Sequence, residues 1–257
     1  MSLDLSPAPG AAPLAKQVRA QASMEVRLLL RNGEQLVLAV VIPVLVLVGG
    51  VIGADHVGID LAHRPVDALT PGVLALAIMS TSFTSVAIAT GFERRYGVLK
   101  RLGATPLPRL GLLAAKVLAL LVVEVFQILV LSLVALVLGW SPSAGVVGAV
   151  GFVLAWLLGT AAFVSLGLLL AGTLRAEATL AAANLIYLLL LAGGAVVLPS
   201  TSYGAFGSFA QWLPSGALGD AMRAAFIDGS IAWPSLLCLL GWAVVGGFLT
   251  SRTFKWE

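Results

Sequence analysis

Six runs of predominantly apolar residues divide the chain: 35–54, 70–91, 110–138, 144–171, 180–198 and 233–250. Each is close to or longer than the roughly 20 residues that a helix needs to cross a bilayer. Pro43 lies inside the first run, where neighbouring helices can satisfy the carbonyl it frees. Pro71 suits the first turn of the second. The third is longer than a crossing requires, which places its opening turns, around Lys116, at the interface. The fifth ends where Pro199 and a Ser/Thr/Gly cluster break the helix. The expected fold is all-α, a polytopic membrane protein with a six-span transmembrane domain over 35–257.

Two segments are apolar without being spans. Over 14–34 the apolar positions Leu14, Val18, Ala22, Val26 and Leu29 share one helical face, and Lys16, Arg27 and Arg31 share another. That pattern predicts an amphipathic interfacial helix lying on an anionic leaflet, with Glu25 interrupting its apolar face. Residues 201–229 carry Phe206, Phe209, Trp212, Leu213, Leu218 and Phe226, interrupted by glycines and Pro214. A loop with so much apolar surface is expected to fold back as an outer re-entrant segment of short broken helices, serving either as a lid or as a gate. Residues 1–13, rich in Pro, Ala and Ser, read as a disordered tail with no cleavable signal peptide.

Charge gives the orientation. Lys16, Arg19, Arg27 and Arg31 precede the first span. Arg94, Arg95, Lys100, Arg101, Arg109 and Lys116 follow the second, Arg175 the fourth, and Arg252 and Lys255 the last. Only Arg64 and Arg223 fall on the other side, beside Asp55, Asp60, Asp67, Asp220 and Asp228. The positive-inside rule therefore places both termini in the cytoplasm. Trp140 and Trp233 are expected in an outer aromatic belt and Trp256 in an inner one, with Trp156 and Trp242 as packing aromatics.

Composition removes several alternatives. Of 257 residues 60% are hydrophobic and 11% charged, far from a soluble domain. The net charge of +3 is accounted for by the orientation signal, and no nucleic-acid partner is expected. A single cysteine, Cys238, excludes an internal disulfide. No G-x-x-x-x-G-K-[ST] occurs, so the chain is not expected to be an enzyme that hydrolyses ATP. His56 and His63 share a loop with aspartates, but two histidines lacking further ligands read as solvated loop residues, and no metal site is expected.

Glu124, the one acid deep within a span, is a candidate intramembrane polar site. Two helical turns separate it from Lys116, so Gln127, Ser132 or a neighbouring helix is expected to satisfy it. Gly49 and Gly53, and Gly145, Gly148 and Gly151, stand at spacings that permit close helix approach.

The loop 92–109 carries a basic helical stretch from about Glu93 to Leu102, stopped by Pro106 and Pro108. Glu93, Gly97, Leu102, Thr105-Pro106 and Lys116, together with the layout of spans, resemble the signature of type 2 ATP-binding-cassette export permeases. That family includes bacterial drug, polysaccharide and lipid-linked glycan exporters. The resemblance implies a coupling helix at Glu93–Leu102 that docks into a separate ATPase subunit. Arg94, Arg95, Lys100 and Arg101 would meet acidic or polar groups there, and Pro106 closes the element. It further implies that ATP and Mg are bound by the partner, with no cofactor in this chain. A second permease copy, as homodimer or related heterodimer, would complete the unit in a bacterial plasma membrane, in contact with lipid. The implied cargo is a hydrophobic or amphiphilic drug, antibiotic or lipid, as in drug efflux and antibiotic resistance. The rival reading is a proton-coupled secondary carrier using Glu124, which would show internal repeats that the sequence lacks.

Overall fold

The computed structural model describes residues 10–31, 33–57 and 63–254. The tail at 1–9, Asp60, Lys255 and Trp256 lie outside the described residues, as do the side chains of Asp55, His56 and Arg109. Helices account for the regular structure: α1 (Leu14–Arg31), α2 (Gly33–Val57), α3 (Pro65–Met79), α4 (Val86–Arg95), α5 (Val98–Leu102), α6 (Arg109–Val137), α7 (Gly145–Thr173), α8 (Ala176–Gly193), α9 (Gly207–Ala210), α10 (Pro214–Phe226) and α11 (Trp233–Thr253). A π-helical turn, Ser80–Ser85, joins α3 to α4, and a 3₁₀ segment, Ser200–Phe206, precedes α9. No strand occurs among the described residues.

Among the described residues five helices are long and apolar enough to cross a membrane: Pro65–Arg95, Leu110–Val137, Gly145–Thr173, Ala176–Gly193 and Trp233–Thr253. The first expected span corresponds to α2, whose described apolar stretch, Ala39–Ala54, is shorter. α2 runs through Pro43 without a break.

Local chemistry sets the ends of these helices. Pro65 and Pro214 open α3 and α10 at positions where no intrahelical N–H is needed. α6 closes at Gly139, whose φ of 90° lets its N–H reach Leu136 O (3.0 Å) while Trp140 N–H reaches Ala135 O (2.9 Å). This pair of bonds satisfies carbonyls that a helix end otherwise strands. It also turns Trp140 inward: the ring is buried and meets Phe226 edge-on at 5.2 Å, so it packs in the interior and does not form an outer belt. Trp233 remains 60% exposed.

α3 is the central element, buried from Leu69 to Met79 and enclosed by α2, α6, α7 and α10. One core gathers Met79, Phe83, Phe163, Leu218, Met222 and Leu239, and a second gathers Leu47, Leu74, Leu131 and Trp140. Glycines set the closest approaches. A Cβ on Gly151 would stand 3.0 Å from Ser230 O, and one on Gly148 would strike the backbone of Ala225. Gly49 and Gly53 meet nothing within 4 Å. Large apolar side chains such as Leu129, Leu133, Leu185, Leu189, Val244 and Phe248 stand outward, as expected of a surface solvated by lipid.

α8 stops at Gly193, five residues before the expected end of the fifth run at Leu198. There the chain unwinds, with Ala195 at a φ of 53°. The freed carbonyls are taken by Arg223 of α10: Nη2 donates to Ala195 O (2.9 Å), and Nη1 lies 3.2 Å from both Val196 O and Val197 O. Irregular backbone inside an apolar bundle persists only where the protein satisfies it. Asp220 accepts a further bond from Nη2 at 2.9 Å, which supplies the counter-charge.

Candidate functional site

The helix that begins at Pro65 ends at Arg95, and Gly97, at φ 69° and ψ 17°, reverses the chain into α5. A left-handed residue is accessible to glycine with little strain, so this position sets the angle between α4 and α5. The single helical stretch expected from Glu93 to Leu102 is therefore two pieces: Glu93–Arg95 finish the long helix, and Val98–Leu102 form a short one beyond it.

α5 is anchored by Leu99, which is buried, while Tyr96, Val98, Lys100 and Arg101 are exposed. Its end is tied by Gly103 N–H to Leu99 O (2.9 Å), Thr105 N–H to Leu102 O (3.0 Å) and the Thr105 hydroxyl to the same oxygen (2.6 Å). Leu102 is half-buried, Pro106 is exposed, and Leu107 is buried before α6 begins after Pro108. The result is a compact projection held by apolar anchors, with a basic outer edge.

Behind it sits a buried ionic group. Lys116 of α6 donates to both carboxylate oxygens of Glu93, at 2.8 and 3.0 Å, and lies 3.6 Å from Glu25 of α1. Their side chains are 14%, 22% and 13% exposed, so solvent screens the group weakly. Glu25, which the pattern of apolar positions marks as an interruption, is the residue that ties α1 to this cluster. Gln21 donates to it at 3.0 Å. Arg94 and Arg95 point a different way, towards the α7–α8 junction: Arg94 donates to Leu174 O, and Arg95 pairs with Glu177.

A second polar cluster lies deeper. The π-helical turn presents Thr81 and Ser82 to α6, where Thr81 donates to Gln127 (2.8 Å) and Ser82 donates to Glu124. Trp156 Nε1 (2.6 Å) and the Thr160 hydroxyl (2.8 Å), both from α7, donate to the other Glu124 oxygen. Glu124 is fully buried. Gln127 does not reach it, donating instead to Ala39 O at 2.9 Å. The satisfying groups come from neighbouring helices, and a buried carboxylate surrounded by three donors is a tie between helices.

An apolar cleft of about 510 Å³ opens between α6, α7 and α11, lined by Leu113, Val117, Leu121, Val164, Leu168 and Phe254, with Thr160 on its wall. Among the described residues no group of three or more His, Cys, Asp and Glu side chains could hold a metal ion. His63 is exposed.

A family model described as ABC-2 type transporter matches residues 16–227, more than half of the chain, from α1 to the end of α10. No curated protein matches.

Proposed function

The chain belongs to the ABC-2 type transporter family, and on that premise we propose that it is the permease subunit of an ATP-driven exporter. A separate ATPase binds ATP and Mg, and α5 is the element it moves. The observation that carries this reading is the projection itself. Lys100 and Arg101 stand exposed on a helix that Leu99 and the bonds to Leu102 keep rigid, at the tip of one of the longest apolar helices.

In this reading α2 is the first of six spans, the end bearing α5 faces the cytoplasm, and both termini lie there, in a bacterial plasma membrane. The unwound segment after α8, with α9 and α10, forms an outer re-entrant structure. The Glu93–Lys116–Glu25 group ties the base of α4 to α6 and α1, so a push on α5 reaches three helices together. A second permease copy completes the path. The open faces of Gly49 and Gly53 and the outward leucines of α8 suit such a contact. The apolar cleft supports a hydrophobic or amphiphilic cargo such as a drug, antibiotic or lipid.

The direct test is Gly97→Val, which has open space around it but a left-handed backbone, at a cost of about 1–2 kcal/mol for a residue bearing a Cβ. The protein is expected to reach the membrane with its ATPase bound but its transport impaired. Unchanged transport counts against coupling through α5.

A further inference from the structure

The junction of α7 and α8 carries a feature that the coupling role of α5 does not account for. Arg94, Arg95 and Arg175 converge with Glu177 around a surface pocket of about 360 Å³, whose wall includes Gly91 and Ala176. Three guanidinium groups face one carboxylate, and that carboxylate is engaged by Arg95. The positive charge of Arg94 and Arg175 is left without an acidic partner among the residues lining the pocket.

Two further observations point the same way. Arg94 Nη2 donates to Leu174 O, but its Nη1 is sealed from solvent with no hydrogen-bond partner among the described residues. A buried donor left unmade is costly, and a modest turn of the Arg94 guanidinium towards the pocket would let a ligand oxygen relieve it. α8 also starts here, with Arg175 at its cap in an extended conformation, no side-chain cap hydrogen bond, and Glu177, paired with Arg95, in the first turn. Its leading N–H groups and the positive end of the helix dipole therefore face the same region.

We propose that this pocket binds a phosphate group. Guanidinium forks match phosphate oxygens in paired hydrogen bonds, and a helix N-terminus adds backbone donors for an oxyanion. The phosphate can come from an anionic phospholipid headgroup, since basic pockets between helices at a membrane surface suit such headgroups, or from a soluble phosphate compound. The site depends only on the local geometry, so its failure would leave the transport reading intact.

The test uses the full chain purified in neutral detergent, with two probes: dioleoylphosphatidylglycerol, followed by native mass spectrometry, and inorganic pyrophosphate without lipid, followed by thermal shift. Arg175→Gln is expected to weaken phosphatidylglycerol binding about tenfold, the loss of one charge-assisted contact. Arg94→Gln should weaken it at least as much. Arg252→Gln, which removes the same net charge at an exposed residue at the end of α11, should leave it unchanged. If pyrophosphate stabilises the protein instead, with the same dependence on Arg175, the site stands with a soluble ligand. Binding of neither probe, or equal weakening by Arg252→Gln and Arg175→Gln, overturns the proposal. Arg175 is exposed, so its substitution decides the matter even if Arg94→Gln does not fold.

Discussion

Lys116 of α6 grips both carboxylate oxygens of Glu93 at the end of α4, at 2.8 and 3.0 Å, across 23 residues of chain that include the whole of α5. Because Glu25 of α1 approaches the same ammonium at 3.6 Å, one cation holds two acids from two other helices. Lys116→Met would leave both carboxylates facing each other in a weakly screened site, and a loss of about 3–5 kcal/mol is expected. Adding Glu93→Gln should recover part of it, with a coupling on the order of 1–3 kcal/mol. Thermal unfolding of the four proteins of the cycle in one detergent measures this. Strict additivity would mean that the pair is inert.

Glu124 separates a structural tie from proton carriage. In Glu124→Gln the amide oxygen can keep Trp156 and Thr160 as donors, while the rotatable Ser82 hydroxyl accepts from the amide nitrogen. The cost should be about 1 kcal/mol, and transport should persist and ignore a protonophore. Glu124→Leu strands all three donors, at about 1–3 kcal/mol each, and is expected to lower the melting temperature sharply. Transport abolished by Glu124→Gln in a protein that melts normally would favour the proton-coupled carrier.

Arg223 determines whether the chain after α8 can stay unwound. Its two terminal nitrogens serve the carbonyls of Ala195, Val196 and Val197, and a lysine cannot span that fork. Arg223→Met should therefore destabilise by roughly 3 kcal/mol, leaving Asp220 unpaired and the carbonyls bare. Arg223→Lys should fall close to it. Hydrogen exchange over 194–199 is the readout, and protection equal to that of the unaltered protein would show that the arginine is dispensable.

Hydropathy made most of the helical layout legible, because length and apolar content are local properties. The runs at 110–138, 144–171 and 233–250 lie within a few residues of α6, α7 and α11. The fifth run misled, since apolar residues continue to Leu198 while the helix stops at Gly193. The carbonyls freed there are held by an arginine more than 25 residues later in the chain, which pattern alone does not connect to them. The same holds at the candidate site. Glu25 spoils an apolar face and Lys116 sits in an apolar run, two anomalies that explain each other once α1 lies on α6. Measured only against Glu124 on its own helix, Lys116 has no partner in reach. Arg94 and Arg95 read as part of one basic edge with Lys100 and Arg101, but Gly97 breaks the helix and sends the two pairs to different surfaces.

The most direct measurement is co-purification of the chain, in nanodiscs, with ATP-binding-cassette subunits co-expressed from the same genome, before and after Lys100→Gln/Arg101→Gln. Both side chains are exposed, so the doubly substituted protein should fold normally. A stoichiometric complex that dissociates, or whose ATP hydrolysis no longer responds to the permease, is the expected result. Failure of any ATPase to associate, or an unaltered complex with unaltered hydrolysis, would contradict coupling through α5.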